Sequence, residues 1–242
     1  MYMLEKIKKK LETNGRFWIC FTGDSITSCE WVHPNWRDIL VYVLQNEMTK
    51  VLNGNWQLAE WGIRGFNFAY DGATTGDIAE RLNDLLLVKP ELVIGLMGGN
   101  DLVLGIDVPE SVKNIDVIVN MAISAGSEVI WCNSTPSGKG SKKNNEYNPY
   151  AKAFMQIPER EGFSKIDMFN IYQKFSTEIF FTFISEENLV EGIKAGEPDL
   201  QHPNQLGNAY IAKVILENAF GISFNPEKYV KDTLDGQKLP RY

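Results

Sequence analysis

Ser25 stands in FTGDSITS (residues 21–28), directly after a short apolar run and a glycine, and the chain offers it two histidines, His33 and His202. A serine hydroxyl is a weak nucleophile until a base takes its proton, and an imidazole with an ordinary pKa of about 6.5 does this at neutral pH. Both histidines lie in the same phrase, acid-x-x-His-Pro-Asn, which runs once from Glu30 to Asn35 and again from Asp199 to Asn204. Spacing therefore cannot choose between them, but position can. His33 lies in the excursion leaving the serine's own strand, whereas His202 arrives from a different strand end and can face Ser25 across a crevice. Asp199, three residues earlier on the same turn, can then accept the other ring N–H and stabilise the imidazolium.

Two further groups have the same character. Gly98-Gly99-Asn100-Asp101 follows the apolar run ELVIGLM, and Asp71-Gly72 precedes a helix pattern that opens at Thr75. Each has a plainer reading as turn or capping chemistry, and Gly-Asp-Ser alone arises by composition in roughly one chain in twenty of this length. Gly-Asp-Ser, Gly-Gly-Asn-Asp and Asp-x-x-His in this order, each at an expected strand end or helix start, are a coincidence on the order of one in a thousand by composition.

The elements that must position them follow an alternation of apolar strand-like runs and amphipathic segments, the pattern of βαβ units on a buried parallel sheet. Strands are expected at 17–23, within 56–70, at 91–99, at 128–133 and near 166–169. Helices are expected at about 35–51, 75–88, 109–125, 149–158 and 205–220, with an N-terminal one that lines up Leu4, Ile7 and Leu11. Residues 134–148 read as a polar loop, with GSKKNN a solvated stretch, and 175–196 carry no clear pattern. In an open parallel sheet the loops after the strands gather over one crevice, which is where the reactive residues fall.

In this arrangement the sequence resembles the SGNH, or GDSL-type, hydrolase family. The four letters of that name map to Ser25 in GDSIT, Gly72 in NFAYDGATTGDIAERL, Asn100 in GGND and His202 in DLQHPN. The second block departs from the usual Asn-x-Gly-x-Ser-Gly-x-Thr pattern, with Ala69 for the first glycine and Asp71 for the serine, while the catalytic glycine position is kept. The resemblance spans about 17–220 and implies a three-layer α/β/α sandwich around a five-stranded parallel sheet, flavodoxin-like in topology. It implies a catalytic set of Ser25, Asp199 and His202, and an oxyanion hole of the Ser25 and Gly72 N–H groups with the Asn100 amide. A glycine suits that role because its backbone can approach a ligand closely.

Around this set, His33, Trp31 and Thr135 are candidate substrate-binding residues. His33 serves either to line the pocket or to begin a helix, with Pro34 expected as an early helical residue. Asp24 is better placed to brace the loop than to act as a second acid. Trp36 and Trp131 belong either to the core or to the pocket wall.

With 242 residues, 44% hydrophobic and 23% charged, the chain is expected to form one domain, 1–242. A net charge of −7 and a pI near 5.0 argue against nucleic acid or an anionic membrane surface as partner. A small-molecule ester is the expected partner, and nothing in the sequence assigns an oligomeric state. Cys20, Cys29 and Cys132 are read as reduced thiols, and the absence of a leader or an 18-residue apolar run makes the cytoplasm the expected location. No cofactor is expected. Two histidines far apart and no paired cysteines give a metal site little material, NSTPSGKGS fails as a phosphate loop, and no Gly-x-Ser-x-Gly elbow is present. The expectation is a serine esterase removing a short acyl group, such as acetyl, from a sugar or other small alcohol. Thioesterase, lysophospholipase and acyltransferase chemistry share the same catalytic set, and a non-catalytic binding module would lack one of its members.

Overall fold

The computed structural model describes residues 2–28, 32–186, 193–236 and 240–242. Strands β1 (Phe17–Gly23), β2 (Ile63–Asn67), β3 (Leu92–Met97), β4 (Glu128–Asn133) and β5 (Phe163–Ile166) form one sheet in the order β2-β1-β3-β4-β5, every pair parallel. Helices α1 (Tyr2–Asn14), α2 (Ser25–Ser28), α3 (Trp36–Val51), α4 (Trp56–Gly62), α5 (Thr75–Leu86), α6 (Gly99–Val103), α7 (Val108–Ser124), α8 (Lys143–Gln156), α9 (Met168–Tyr172), α10 (Gln205–Ile215) and α11 (Pro226–Asp235) surround it.

The central strands β1, β3 and β4 are buried on both faces, so their side chains divide by alternation between two cores, while the edge strands β2 and β5 are partly exposed. Ile19 and Phe21 of β1, Ile94 and Leu96 of β3 and Ile130 of β4 meet Ile7 and Leu11 of α1, Ile39 and Val43 of α3 and Ile211 and Val214 of α10. On the other face Cys20, Val93, Met97, Val129 and Trp131 meet Ile78 and Leu82 of α5, Ile115 and Ile118 of α7 and Phe154 of α8. This is the three-layer α/β/α arrangement that the resemblance implies, on the parallel sheet expected from the alternating runs. Trp36 and Trp131 are fully buried in these cores, the Trp131 indole lying across Gly95 of the neighbouring strand. Neither forms a pocket wall.

The topology fixes where a ligand can sit. The chain adds β2 on one side of β1 and β3 on the other, so the loops leaving β1 and β3 diverge and open a crevice at their carboxyl ends. Gly23 of β1 and Leu96 of β3 are register partners, which brings Ser25 and Asn100 to the same rim.

Several boundaries differ from the sequence reading. The stretch 56–70 holds a helix, α4, before its strand. The expected loop 134–148 ends early because α8 begins at Lys143, and Pro149 is accommodated inside that helix. The last long helix changes at Leu216 to a π-helical turn that ends on Gly221. Pro34 is not a helical residue: Asn35 is the N-cap of α3, forming a capping box with Asp38. Asn204 is likewise the N-cap of α10, its side chain accepting the Gly207 N–H without a reciprocal side-chain bond. The doubled His-Pro-Asn phrase therefore records two helices that start on a capping asparagine. Of the patternless segment 175–196, a 3₁₀ turn (Thr177–Ile179) and an isolated bridge between Ile184 and Pro198 are described.

Candidate active site

Ser25 opens the single turn of α2 immediately beyond β1. Asp24 holds the turn: its Oδ1 accepts the Ile26 N–H at 3.1 Å, and its carbonyl accepts the N–H groups of Thr27 and Ser28 at 2.9 and 3.0 Å. Arg37 of α3 is buried and donates from Nε to the Thr27 carbonyl, so a long helix anchors the turn. Burial raises the Asp24 carboxyl to about 7, which the Ile26 N–H and the His202 charge only partly oppose. A group that gives up its proton so reluctantly beside Ser25 fits a brace better than a second working carboxylate.

The opposite side of the crevice is carried by the turn before α10. Asp199 Oδ1 accepts the Gln201 N–H at 2.7 Å and the His202 N–H at 3.2 Å, while Oδ2 lies 2.6 Å from His202 Nδ1. His202 Nε2 lies 2.9 Å from Ser25 Oγ. Asp199 and His202 are 2% and 6% exposed, and the Asp199 N–H is tied to the Phe183 carbonyl. Burial alone would raise the Asp199 carboxyl, but hydrogen bonds from the imidazole and two backbone N–H groups, with the His202 charge, hold it below the usual carboxylate range. An ionised Asp199 favours the ring proton on Nδ1, which leaves the Nε2 lone pair facing the Ser25 hydroxyl.

Asn100 stands two residues past the glycine that ends the β3 run. Gly98 takes φ +126°, and a Cβ there would meet the Tyr147 hydroxyl at 2.7 Å, so glycine alone lets the chain turn into α6 beneath that ring. Asn100 Nδ2 donates to the Ala73 carbonyl at 3.0 Å; a primary amide has two N–H donors, so one remains for a ligand. Gly72 is exposed at φ +74°, and a Cβ added to it would meet nothing within 4 Å. Its requirement for glycine is the left-handed backbone, not crowding by the protein.

Two acids hold these loops together, and the motifs did not single out either role. Fully buried Asp101 accepts the Thr75 N–H at 2.9 Å and the Thr75 hydroxyl at 2.7 Å, pinning the start of α5 to α6. Asp71, at the position where the resemblance expects serine, accepts the Ser28 hydroxyl at 2.6 Å and so joins the second loop to the Ser25 turn.

A pocket of about 60 Å³ opens beside Ser25 and His202, its wall including Asn100, Leu102, Tyr147 and Phe169. Thr135, expected as a substrate contact, lines it. His33 is exposed and is not among the lining residues. Trp31 lies outside the described residues. Lys143, Asn144 and Gln201 also line the pocket. The first two correct the reading of GSKKNN as a solvated loop, because the early start of α8 folds its first turn over the strand ends. Gln201 sits inside the DLQHPN phrase and was hidden between its two more reactive neighbours. Among the described residues no group of three or more His, Cys, Asp or Glu is placed to hold a metal ion.

The model of the GDSL-like lipase/acylhydrolase family matches residues 21–210, most of the chain. No curated protein sequence matches significantly. Similar solved structures include TesA (16% identity, TM-score 0.61, covering 84% of this chain and 98% of that one). A lipase/acylhydrolase from Enterococcus faecalis is 19% identical at TM-score 0.62, over 85% of this chain and 96% of its own. A catalytic mutant of Axe2, an acetylxylan esterase from Geobacillus stearothermophilus, is 18% identical at TM-score 0.59, over 83% and 93%. At such identities the likeness carries the fold.

Proposed function

Since the chain belongs to the GDSL-like lipase/acylhydrolase family and is a carboxylic ester hydrolase, we propose that it is a serine esterase releasing short acyl groups, acetyl foremost, from a sugar or other small alcohol. The single observation that carries the reading is the unbroken chain from Ser25 Oγ through the His202 ring to Asp199, at 2.9 and 2.6 Å.

In the proposed reaction Ser25 Oγ attacks the ester carbonyl carbon while His202 Nε2 takes the hydroxyl proton and Asp199 steadies the imidazolium. The carbonyl oxygen becomes an oxyanion, met by the Ser25 and Gly72 N–H groups and the unused N–H of Asn100. The C–O bond to the alcohol then breaks, His202 returns the proton to the departing oxygen, and an acyl-enzyme on Ser25 remains. Water attacks that ester with His202 again as base, releasing the carboxylic acid and restoring the serine. No step calls for a metal or cofactor.

The size of the pocket supports the short acyl group. At about 60 Å³ the space beside Ser25 is small, which favours a short acyl group over a long chain. The acetylxylan esterase among the structural neighbours acts, by its name, on an acetyl ester. Free, buried Cys20 and Cys132 support the cytoplasm as the proposed setting, and among the described residues no helix is long and apolar enough to cross a membrane.

The test is kcat/KM on p-nitrophenyl acetate, butyrate and octanoate, with an acyl thioester and an alcohol acceptor added to separate thioesterase and transferase chemistry. Acetate should exceed octanoate by at least about tenfold, since each excluded methylene is worth roughly 1–3 kcal/mol. A preference for octanoate would overturn the short-acyl reading.

A further inference from the structure

The pocket holds polar groups for which the proposed catalytic steps have no use. Lys143, in the first turn of α8, lines both the pocket at Ser25 and an adjoining outer hollow, whose walls include Val103, Pro198 and Leu200. It therefore stands where the acyl pocket opens toward the space left for the alcohol.

Its ammonium has three N–H donors. One is given to a neutral acceptor, Gln201 Oε1 at 2.9 Å, and no carboxylate lies within ion-pair distance among the described residues. Partial burial pulls the Lys143 pKa down, and the fields of Asp199 and Glu146 pull it back only in part. Asp199 is already engaged by His202 and two backbone N–H groups, and Glu146 is exposed. The wall of the same pocket carries a second unfulfilled group. Thr135 is 6% exposed and lines the same pocket, and its buried Oγ1 has no partner among the described residues. A half-desolvated cation and an orphaned hydroxyl are both costly to leave unmatched, and an acceptor-rich anion satisfies both.

We infer that Lys143 and Thr135 form an anion subsite, and that the preferred substrates are short acyl esters whose alcohol carries a negatively charged group such as a carboxylate or phosphate. The inference rests on the serine esterase reading for its chemistry and adds the class of alcohol. Gln201 holds the Lys143 head in place, linking the subsite to the turn that carries His202.

The test compares kcat/KM for 3-acetoxybenzoate, 3-acetoxyphenyl phosphate and the neutral methyl 3-acetoxybenzoate. The wild type should favour at least one anionic ester over the neutral one by about tenfold or more, the scale of a charge-assisted hydrogen bond. Lys143→Gln should bring that ratio to about one, while Lys143→Arg should keep it, as expected for a subsite that reads charge. The larger of the two anionic ratios identifies the preferred anion. A wild-type ratio at or below one, or a ratio that Lys143→Gln leaves unchanged, overturns the subsite.

Calorimetry with Ser25→Ala separates this from the reaction itself. That variant should bind the favoured anionic ester more tightly than the methyl ester, and the added Lys143→Gln change should erase the difference. Turnover of all the esters without discrimination would leave the esterase and remove the subsite. Lys143-dependent binding with no turnover by the wild type would do the reverse.

Discussion

Ser25→Ala, and separately His202→Ala, should each lower kcat on p-nitrophenyl acetate by about 10⁴–10⁶, and the double variant should be little worse than either single one. The size follows from the division of labour: without the imidazole the hydroxyl keeps its proton, and without the hydroxyl there is nothing for the imidazole to activate. Asp199→Ala should cost less, on the order of 10⁴, because His202 remains and loses only its orienting partner. Ser25 is half-buried and its side chain hydrogen-bonds with His202, so Ser25→Ala should leave the melting temperature close to that of the wild type. Comparable kcat for Ser25→Ala and wild type would remove the covalent mechanism.

The second large effect belongs to Asn100. Asn100→Ala should lower kcat by about 10²–10³ with a smaller change in KM, because the donor it removes is used where charge develops on the carbonyl oxygen. The Asn100 amide also holds the Ala73 carbonyl, so part of any loss could come from a displaced loop. Asp101 still pins Thr75 in the variant, and the loop after Gly72 should therefore stay near its place. Steady-state kinetics on the acetyl ester, with thermal melting as the control for folding, separates the two. Loss confined to KM would mean that Asn100 binds the ground state and does not stabilise an oxyanion.

How much of this could be read from the chain depends on the range of the interactions involved. The β3 and β4 strands are continuous apolar runs between clear breaks, and α5 carries its stripe and its Thr74–Asp77 capping box within a few residues, so they were legible locally. The start of α8 was not, because the Lys- and Asn-rich GSKKNN segment and Pro149 both argue locally against a helix. It is held instead by distant contacts: Tyr147 receives the Ser134 N–H, and Tyr150 reaches the Ile106 carbonyl. That mistake in the boundary also hid Lys143 and Asn144 from the pocket.

The two histidine phrases show the same limit at the site. Their shared asparagines report only that a helix begins, a local fact true of both α3 and α10. What separates the histidines is the sheet order, which brings the turn before α10 to the rim beside Ser25 and leaves His33 exposed. The bracing roles of Asp71 and Asp101 escaped the motif reading for a related reason. Their partners, Ser28 and Thr75, lie 43 and 26 residues away, so no spacing rule links them.

The central claim is that the Ser25 oxygen becomes covalently acylated with His202 as its base. Intact mass and peptide mapping after exposure to diethyl p-nitrophenyl phosphate test it most directly, since this reagent traps an activated serine. The account predicts one diethylphosphoryl adduct, on the peptide containing Ser25, absent from Ser25→Ala and greatly slowed in His202→Ala. An adduct on another residue, or labelling undiminished in Ser25→Ala, would contradict it.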